Sequence, residues 1–186
     1  LAKIRDVNSK GLKAQTFSTL FRAADGCDGM KSALSAIFEQ VSQALTNGVN
    51  LVVLSDKGSN PEFAPIPILL AVSAVHHNLI RAGVRNRASI VAETGEAREV
   101  NHFALLAGYG AGAVNPYLAF ETISELKVQG NLPGDLSEEK AHANYIKAIN
   151  KGMLKVFSKM GISTLFSYCG AQIFESIGLS RQVVER

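Results

Sequence analysis

Cysteine is scarce in this 186-residue chain, which has only Cys27 and Cys169. Two cysteines so far apart form neither a disulfide framework nor a Cys-x-x-Cys metal site, so the sequence favours free thiols in a reducing compartment. The cytoplasm or an organelle interior fits this pattern. No metal ligands and no catalytic residues are assigned from the sequence.

Runs of like charge and long apolar runs are also lacking. The 19 basic and 16 acidic residues are scattered along the chain and give a formal net charge of +3. This excludes a basic stripe for nucleic acid and a polybasic patch for a membrane surface. No apolar run approaches the roughly 20 residues of a membrane-spanning helix, and residues 1–15 lack the core of a signal peptide. We expect a soluble protein without nucleic-acid or membrane partners.

Hydrophobic residues are abundant instead, at 47% of the chain, which is enough for one sizeable core. Short β-prone runs alternate with longer amphipathic segments, as is typical of βα units around a mostly parallel sheet. The predicted strands cover residues 16–21, 49–56, 88–93, 111–116 and 161–166. The predicted helices cover residues 30–48, 68–83, 97–108, 116–128 and 139–160. These units make either a small open sheet or a part of something larger.

The polar, turn-rich stretch at residues 129–140 predicts a boundary. Within it, Ser137 precedes two acidic residues, which is the expected N-cap and acidic first turn of a helix. We therefore expect a long helix to begin there.

Polar residues at the ends of predicted strands are the first candidate site, because ligands of parallel α/β proteins bind there. Asp56 could ligate a metal or accept a hydrogen bond from a substrate, or it could pair with local backbone amides in the proline-rich loop. Glu93 ends the next strand, and Thr94, Gly95 and Glu96 follow it. The helix after them could bind an anion, although two carboxylates argue against phosphate. Thr94 could instead be the N-cap of that helix.

Histidines are the second candidate. His76, His77 and His102 suggest a transition-metal site, but adjacent helical residues point about 100° apart and no second ligand lies one turn away. Helix-face or packing roles are therefore favoured.

The glycines at residues 108–112 superficially resemble a dinucleotide-binding loop. That motif needs a strand before it and a helix that begins at it, whereas here a helix ends. Gly108 is predicted to cap the helix, and Gly110 and Gly112 to let the chain reverse into a strand.

Residues 158–172 are a third candidate. Gly161, Ser163 and Thr164 leave backbone and hydroxyl groups that could approach a planar ligand such as a flavin. A plain buried strand that enters a turn fits the same residues.

Four stretches together resemble the glutamate synthase large chain, in that family's order and spacing. They are LVVLSDKGSN (51–60), APIPILLAVSAVHHNLI (64–80), ASIVAETGEAREVNHFALLAGYGAGAVNPYLAFETI (88–123) and NYIKAINKGMLKVFSKMGISTLFSYCGAQIFESIGL (144–179). In this family an N-terminal cysteine amidotransferase releases ammonia from glutamine, and an FMN barrel reduces its adduct with 2-oxoglutarate to glutamate.

The resemblance implies an α/β fold with a parallel sheet similar to part of a (β/α) barrel. Residues 1–130 would be βα units of the central domain, and residues 131–186 the connecting helix and the first strand of the FMN-binding barrel. Met160, Gly161 and Ser163 would lie beside the FMN ring, with Gln172 on the following loop.

Other parts of the family's chemistry have no counterpart in this chain. It begins with Leu1, not with a catalytic cysteine, and has no cysteine cluster for the family's 3Fe–4S centre. We expect it to be a fragment that links the amidotransferase and FMN domains and is inactive alone. Ferredoxin or a nicotinamide-linked small subunit would supply electrons, in the cytoplasm or the plastid stroma. The alternative is a stand-alone, non-catalytic structural or interaction module that reuses the fold.

The chain departs from the family's usual residues at four positions. Lys57 and Cys169 stand where arginine is frequent, and Asn78 and Asn101 stand where histidine is common. Because arginine alone offers planar bidentate pairing, the roles of these positions stay open.

Overall fold

The computed structural model of the chain describes residues 8–9 and 11–185. The strands in this part are β1 (Asn8–Ser9), β2 (Leu12–Ser18), β3 (Leu20–Arg22), β4 (Leu51–Ser55), β5 (Phe63–Pro65), β6 (Ser89–Glu93) and β7 (Ala113–Asn115). The helices are α1 (Gly26–Thr46), α2 (Ile68–Arg81), α3 (Val100–Gly108), α4 (Tyr117–Val128), α5 (Glu138–Lys159), α6 (Leu165–Tyr168) and α7 (Arg181–Val184).

The main sheet has the strand order β1-β2-β4-β6-β7. Strands β2, β4, β6 and β7 are parallel and adjacent in chain order, and β1 joins β2 in the antiparallel direction. A doubly wound sheet reverses its strand order at a switch point, but this sheet runs in one direction, as the strands of a (β/α) barrel do. The predicted α/β fold with a mostly parallel sheet is confirmed. A separate two-stranded sheet pairs β3 with β5.

The main core lies between this sheet and helices α1 and α2. β4 is nearly continuous apolar sequence because both of its faces are covered, and its Val52, Val53 and Leu54 are fully buried. Helix α1 buries one stripe at the helical spacing that the sequence predicts. The buried residues of this stripe are Leu34, Ile37, Val41, Ala44 and Leu45.

One row of the sheet brings the strand ends together. Ser55 of β4 is in register with Ser18 of β2 on one side and with Glu93 of β6 on the other, and Glu93 is in register with Asn115 of β7. Laterally paired residues of a sheet point to the same face, so four polar side chains form a line at the carboxyl end.

Helix α5 forms a smaller second core against α3. It begins where the sequence predicts, because Ser137 Oγ accepts a hydrogen bond of 3.2 Å from the Lys140 N–H. Its Phe157 packs with Tyr168 of α6, the two ring centroids being 4.5 Å apart. The buried members of this cluster are Ala104, Ala107, Phe157 and Tyr168.

The predicted strand at residues 161–166 is wrong. The chain makes a turn after α5, and α6 begins at Leu165. The Ile162 N–H donates back to the Phe157 carbonyl oxygen at 2.9 Å, and Thr164 Oγ1 accepts from the Ser167 N–H at 3.2 Å. These bonds end one helix and start the next, so the backbone groups that a strand ladder needs are already used.

The predicted strand at residues 16–21 is two strands. β2 ends at Ser18, and β3 leaves the main sheet to pair with β5. Thr19 lies at the branch, where its N–H donates to the Ser55 carbonyl oxygen and its own carbonyl accepts from the Ile66 N–H.

Helix α3 ends at the glycine segment, as predicted, but its cap differs from the prediction. Tyr109, not Gly108, is the C-cap, and Gly110 has the left-handed backbone conformation, with φ of +112°. A side chain at Gly110 would also collide with the His76 ring. The loop is a joint between a helix and a strand.

Within residues 8–9 and 11–185, no helix is long and apolar enough to cross a membrane.

Candidate functional site

Buried polar side chains gather at the carboxyl ends of β4 and β6. Ser55, Asp56, Glu93 and Thr94 are each at most 5% exposed. This edge is where ligands bind in parallel α/β proteins, so their hydrogen bonds decide what the edge can do.

Glu93 connects the ends of three strands. Its Oε2 accepts a hydrogen bond of 2.5 Å from Ser55 Oγ on one side, and its Oε1 lies 3.4 Å from Asn115 Nδ2 on the other. The carboxylate therefore joins β4, β6 and β7.

Asp56 connects two loops. Its carboxylate accepts from Thr94 Oγ1 at 2.5 Å and from the Gly95 N–H at 3.1 Å. Both partners lie after β6, so the interpretation that Asp56 pairs with amides of its own proline-rich loop is wrong. Neighbouring strands place residues distant in sequence side by side, and the loop's own amides are not needed.

Thr94 is not an N-cap. Helix α3 starts six residues later, with Glu99 as its N-cap and His102 as the reciprocal partner in a capping box. Thr94 Oγ1 instead accepts from the Glu96 N–H at 3.0 Å, which closes a tight local turn.

Tyr117 and Lys57 cover the outside of this network. Burial, together with the hydrogen bond and the negative charge of Asp56, raises the pKa of Tyr117 to about 12, so the phenol keeps its proton. The Lys57 Nζ lies 5.2 Å from the centroid of the Tyr117 ring and 3.7 Å from Glu121 Oε1. Lys57, one of the four departures, thus makes a cation–π contact and an exposed ion pair.

This arrangement holds loops together. The buried Asp56 carboxylate accepts its hydrogen bonds from Thr94 and Gly95, so it links the loop after β4 to the loop after β6. In the part of the chain that the structure describes, no group of three or more histidine, cysteine or acidic side chains is placed to hold a metal ion.

His76 has a packing role, as the sequence favours, whereas His102 belongs to the capping box of α3, a role that the sequence did not indicate. His76 Nδ1 accepts a hydrogen bond of 2.8 Å from Arg85 Nε, while the other nitrogens of Arg85 donate to the carbonyl oxygens of Ala88 and Gly110. Burial, and then the charge of Arg85, lower the pKa of His76 to about 4. Arg85 went unnoticed in the sequence, because nothing in its neighbours indicates a bond to a residue nine positions earlier.

The residues proposed for flavin contact lie in two places. Met160 is the C-cap of α5 and is 45% exposed, and Gly161 and Ser163 follow it on an exposed turn. A Cβ at Gly161 would meet nothing within 4 Å, so a flat group has room to approach. Gln172 instead lines a cavity of about 70 Å³ beside α2 and α3.

Among the remaining departures, Cys169 has a defined environment. Burial raises the pKa of its thiol above the ordinary value, and the charge of Arg85 offsets only part of this rise. Asn78 lies on α2 and Asn101 on α3, and nothing in the structure explains why asparagine stands at either position.

An apolar groove of about 490 Å³ separates α5 from the edge strand β7. Three of its apolar side chains, Ile146, Leu154 and Leu165, are 46–64% exposed. Surfaces of this kind mark contacts with other protein parts.

The fold and the site together define an α/β protein that resembles one sector of a (β/α) barrel. The polar side chains at its carboxyl edge are hydrogen-bonded to one another. A solved structure of a mutant flavocytochrome b2 with benzoylformate has the same fold over 80% of this chain and 37% of its own, with a TM-score of 0.60 and 13% identity.

The model of the glutamate synthase central domain matches residues 1–180, and the chain belongs to this family. The NADPH glutamate synthase large chain of Bacillus subtilis (strain 168) is 50% identical over 175 residues, which cover 94% of this chain and 11% of that protein. The ferredoxin-dependent glutamate synthase of Pyropia yezoensis is 48% identical over 178 residues, covering 90% of this chain and 12% of that protein. The chain thus spans only a small part of these relatives.

Proposed function

We propose that the chain is the central-domain portion of a glutamate synthase, an FMN and iron–sulfur oxidoreductase that transfers glutamine-derived ammonia reductively to 2-oxoglutarate. In this proposal the chain joins the amidotransferase domain to the FMN domain and is inactive alone. The family match over residues 1–180 carries the assignment.

The carboxyl edge supports a connecting role over a catalytic one. In a barrel enzyme the polar groups at this edge face a substrate. Here Asp56 is 3% exposed and bonded to Thr94 and Gly95. A group that is already desolvated and paired is costly to recruit for chemistry.

The apolar groove between α5 and β7 supports contact with an adjoining domain. β7 is the last strand of the sheet among the described residues, and the exposed Leu154 and Leu165 line the groove beside it. An adjoining domain would cover both.

The turn after α5 would supply only part of a flavin site. Met160, Gly161 and Ser163 are exposed and free to touch one side of an FMN ring, with Gln172 as a further candidate from a different loop. The phosphate contacts and the 3Fe–4S cluster would come from outside the chain, and so would the binding of ferredoxin or a nicotinamide-linked subunit. The compartment would be the cytoplasm or the plastid stroma.

Two assays of the purified chain test this proposal. Supplied with glutamine, 2-oxoglutarate, FMN and a reductant, it should form no glutamate, and flavin fluorescence should show very weak FMN binding or none. Glutamate formation, or stoichiometric micromolar FMN binding, would refute it.

The stand-alone module remains the competing hypothesis. An antibody raised against the chain should detect, in the source cells, one polypeptide several times larger than 19.9 kDa. A band only of about the chain's own size would favour the module and reject the connecting role.

A further inference from the structure

A second cleft, apart from the polar network, lies where the β6–α3 loop meets the start of α2. Its volume is about 320 Å³, near the lower end of the range of small-molecule sites, roughly 300 to 1,000 Å³. Its lining combines an apolar floor with an acidic, a basic and an imidazole side chain. The lining residues are Ile68, Leu69, Glu96, Ala97, Arg98, His102, Leu105 and Leu106.

Glu96 supplies a carboxylate with one oxygen available to a ligand. Its Oε1 accepts a hydrogen bond of 3.1 Å from the Ile68 N–H at the first turn of α2, and no described residue bonds to its other oxygen. Partial desolvation raises the pKa of Glu96, although the residue as a whole is exposed. A cationic group in the cleft would stabilise the charged carboxylate.

Arg98 supplies a cation on a fixed backbone. Its N–H donates to His102 Nδ1 at 3.1 Å, and its carbonyl oxygen accepts from the Tyr145 hydroxyl at 2.9 Å. Its guanidinium makes no hydrogen bond or ion pair with the described residues, Glu96 included. The head group is free to bind an anion.

His102 does not compete for that anion. Its Nδ1 accepts from the backbone N–H groups of Arg98 and Glu99, and its Nε2 lies 3.6 Å from Glu99 Oε1, so both ring nitrogens already have partners. The cleft thus presents one positive and one negative group.

Glu96 and Arg98 both line this cleft and form no ion pair with each other. Together they offer a negative and a positive group to a zwitterionic ligand. The apolar floor, with Leu105 and Leu106 from α3, suits an aliphatic side chain. We propose that this cleft binds a free α-amino acid with an apolar side chain, such as leucine, with its ammonium at Glu96 and its carboxylate at Arg98. This site does not depend on the proposed function.

Calorimetric titration of the full chain tests the proposal with three matched probes. L-Leucine carries both charges, leucinamide lacks the carboxylate, and 4-methylpentanoate lacks the ammonium. Leucine should bind saturably, and each of the other two should bind at least about tenfold more weakly, because each forfeits one charge-assisted contact.

Two variants assign the contacts. Glu96→Gln keeps an oxygen to accept from the Ile68 N–H, so the start of α2 stays capped while the charge is lost. Arg98→Met keeps an unbranched apolar stem and removes the charged head group. Both should weaken leucine binding at least about tenfold, while Glu62→Gln, on the exposed loop before β5, should leave it unchanged.

Several results would overturn the site. These are no saturable heat with leucine at the highest soluble concentration, equal binding of leucinamide and leucine, or unchanged leucine binding in both Glu96→Gln and Arg98→Met. Thermal unfolding of each variant should match that of the parent chain, and a fall shared with Glu62→Gln would show that the binding loss is not specific.

Discussion

The sheet region, residues 11–128, and the C-terminal region, residues 129–185, are held together in different ways. The sheet region has one cluster of 22 buried hydrophobic residues. The second cluster has four, of which Ala104 and Ala107 belong to α3 of the sheet region. The C-terminal region supplies the other two buried members, Phe157 and Tyr168, together with partly buried side chains packed around them. Its core is therefore small and shared with the sheet region.

Exposed apolar side chains follow the same division. Phe166 is 93% exposed and Ile177 is 88% exposed, whereas β4 buries three consecutive apolar residues completely. Since stability follows the apolar area removed from water, we expect the sheet region to hold most of the free energy of unfolding.

A pair of leucine truncations tests this difference at its largest. Leu54→Ala, at a fully buried residue of β4, should lower the free energy of unfolding by about 2–5 kcal/mol, because it leaves a cavity in a close-packed core. Leu154→Ala, at a side chain that is 64% exposed, should change it by no more than about 0.5 kcal/mol. Urea unfolding measures both, and similar losses would contradict the division.

The polar edge is the next target. In Asp56→Asn, an amide replaces the carboxylate that accepts hydrogen bonds from Thr94 and Gly95. The NH₂ group of the amide is a donor and cannot accept these bonds. The free energy of unfolding should fall by about 1–3 kcal/mol. Asp135→Asn, at an exposed residue of the connecting loop, is the matched control, and equal effects of the two changes would show that the network is not stabilising.

The contact between the regions can be changed at Gly152 of α5. A Cβ there would collide with the Val100 side chain on α3. Overpacking costs about 1–3 kcal/mol, which exceeds the roughly 1 kcal/mol that alanine gains over glycine in a helix. Gly152→Ala should therefore destabilise the chain slightly and speed limited proteolysis of α5.

Adding Val100→Ala to Gly152→Ala makes room for the methyl group. The double variant should recover part of the loss. A single Gly152→Ala variant that is more stable than the parent would mean that α5 does not pack closely on α3.

A further expected effect concerns pH, through His76. The folded protein lowers the pKa of His76 from 6.5 to about 4, so it disfavours the protonated ring. As the pH falls from about 6.5 to 4, the unfolded chain binds a proton that the folded chain does not, and stability falls. His76→Gln should lose less stability over this interval in urea titrations, and an equal loss in both proteins would reject the link.

Sequence alone predicted the elements whose signal is local and periodic. The apolar stripe of α1 and the continuous apolar run of β4 gave their positions, and Ser137 gave the start of α5. Each depends on neighbours within a few residues.

The features it missed depend on contacts between distant residues. Residues 161–166 have β-prone composition, but the hydrogen bond from the Ile162 N–H to the Phe157 carbonyl oxygen belongs to the end of helix α5. Composition does not show whether a neighbouring strand is close enough to pair with this segment. Asp56 finds Thr94, and His76 finds Arg85, only because neighbouring βα units meet in the fold. The residues Met160, Gly161, Ser163 and Gln172 came from family resemblance, and their role in flavin contact stays a prediction.

Hydrogen exchange of backbone amides, read residue by residue in a demonstrated monomer, tests the division between the two regions most directly. The amides of β4 and β6 should exchange only through global unfolding, and those of residues 161–177 much faster, through local opening. Uniform strong protection through residues 161–177 would contradict the account, because it would show that the C-terminal region unfolds together with the sheet.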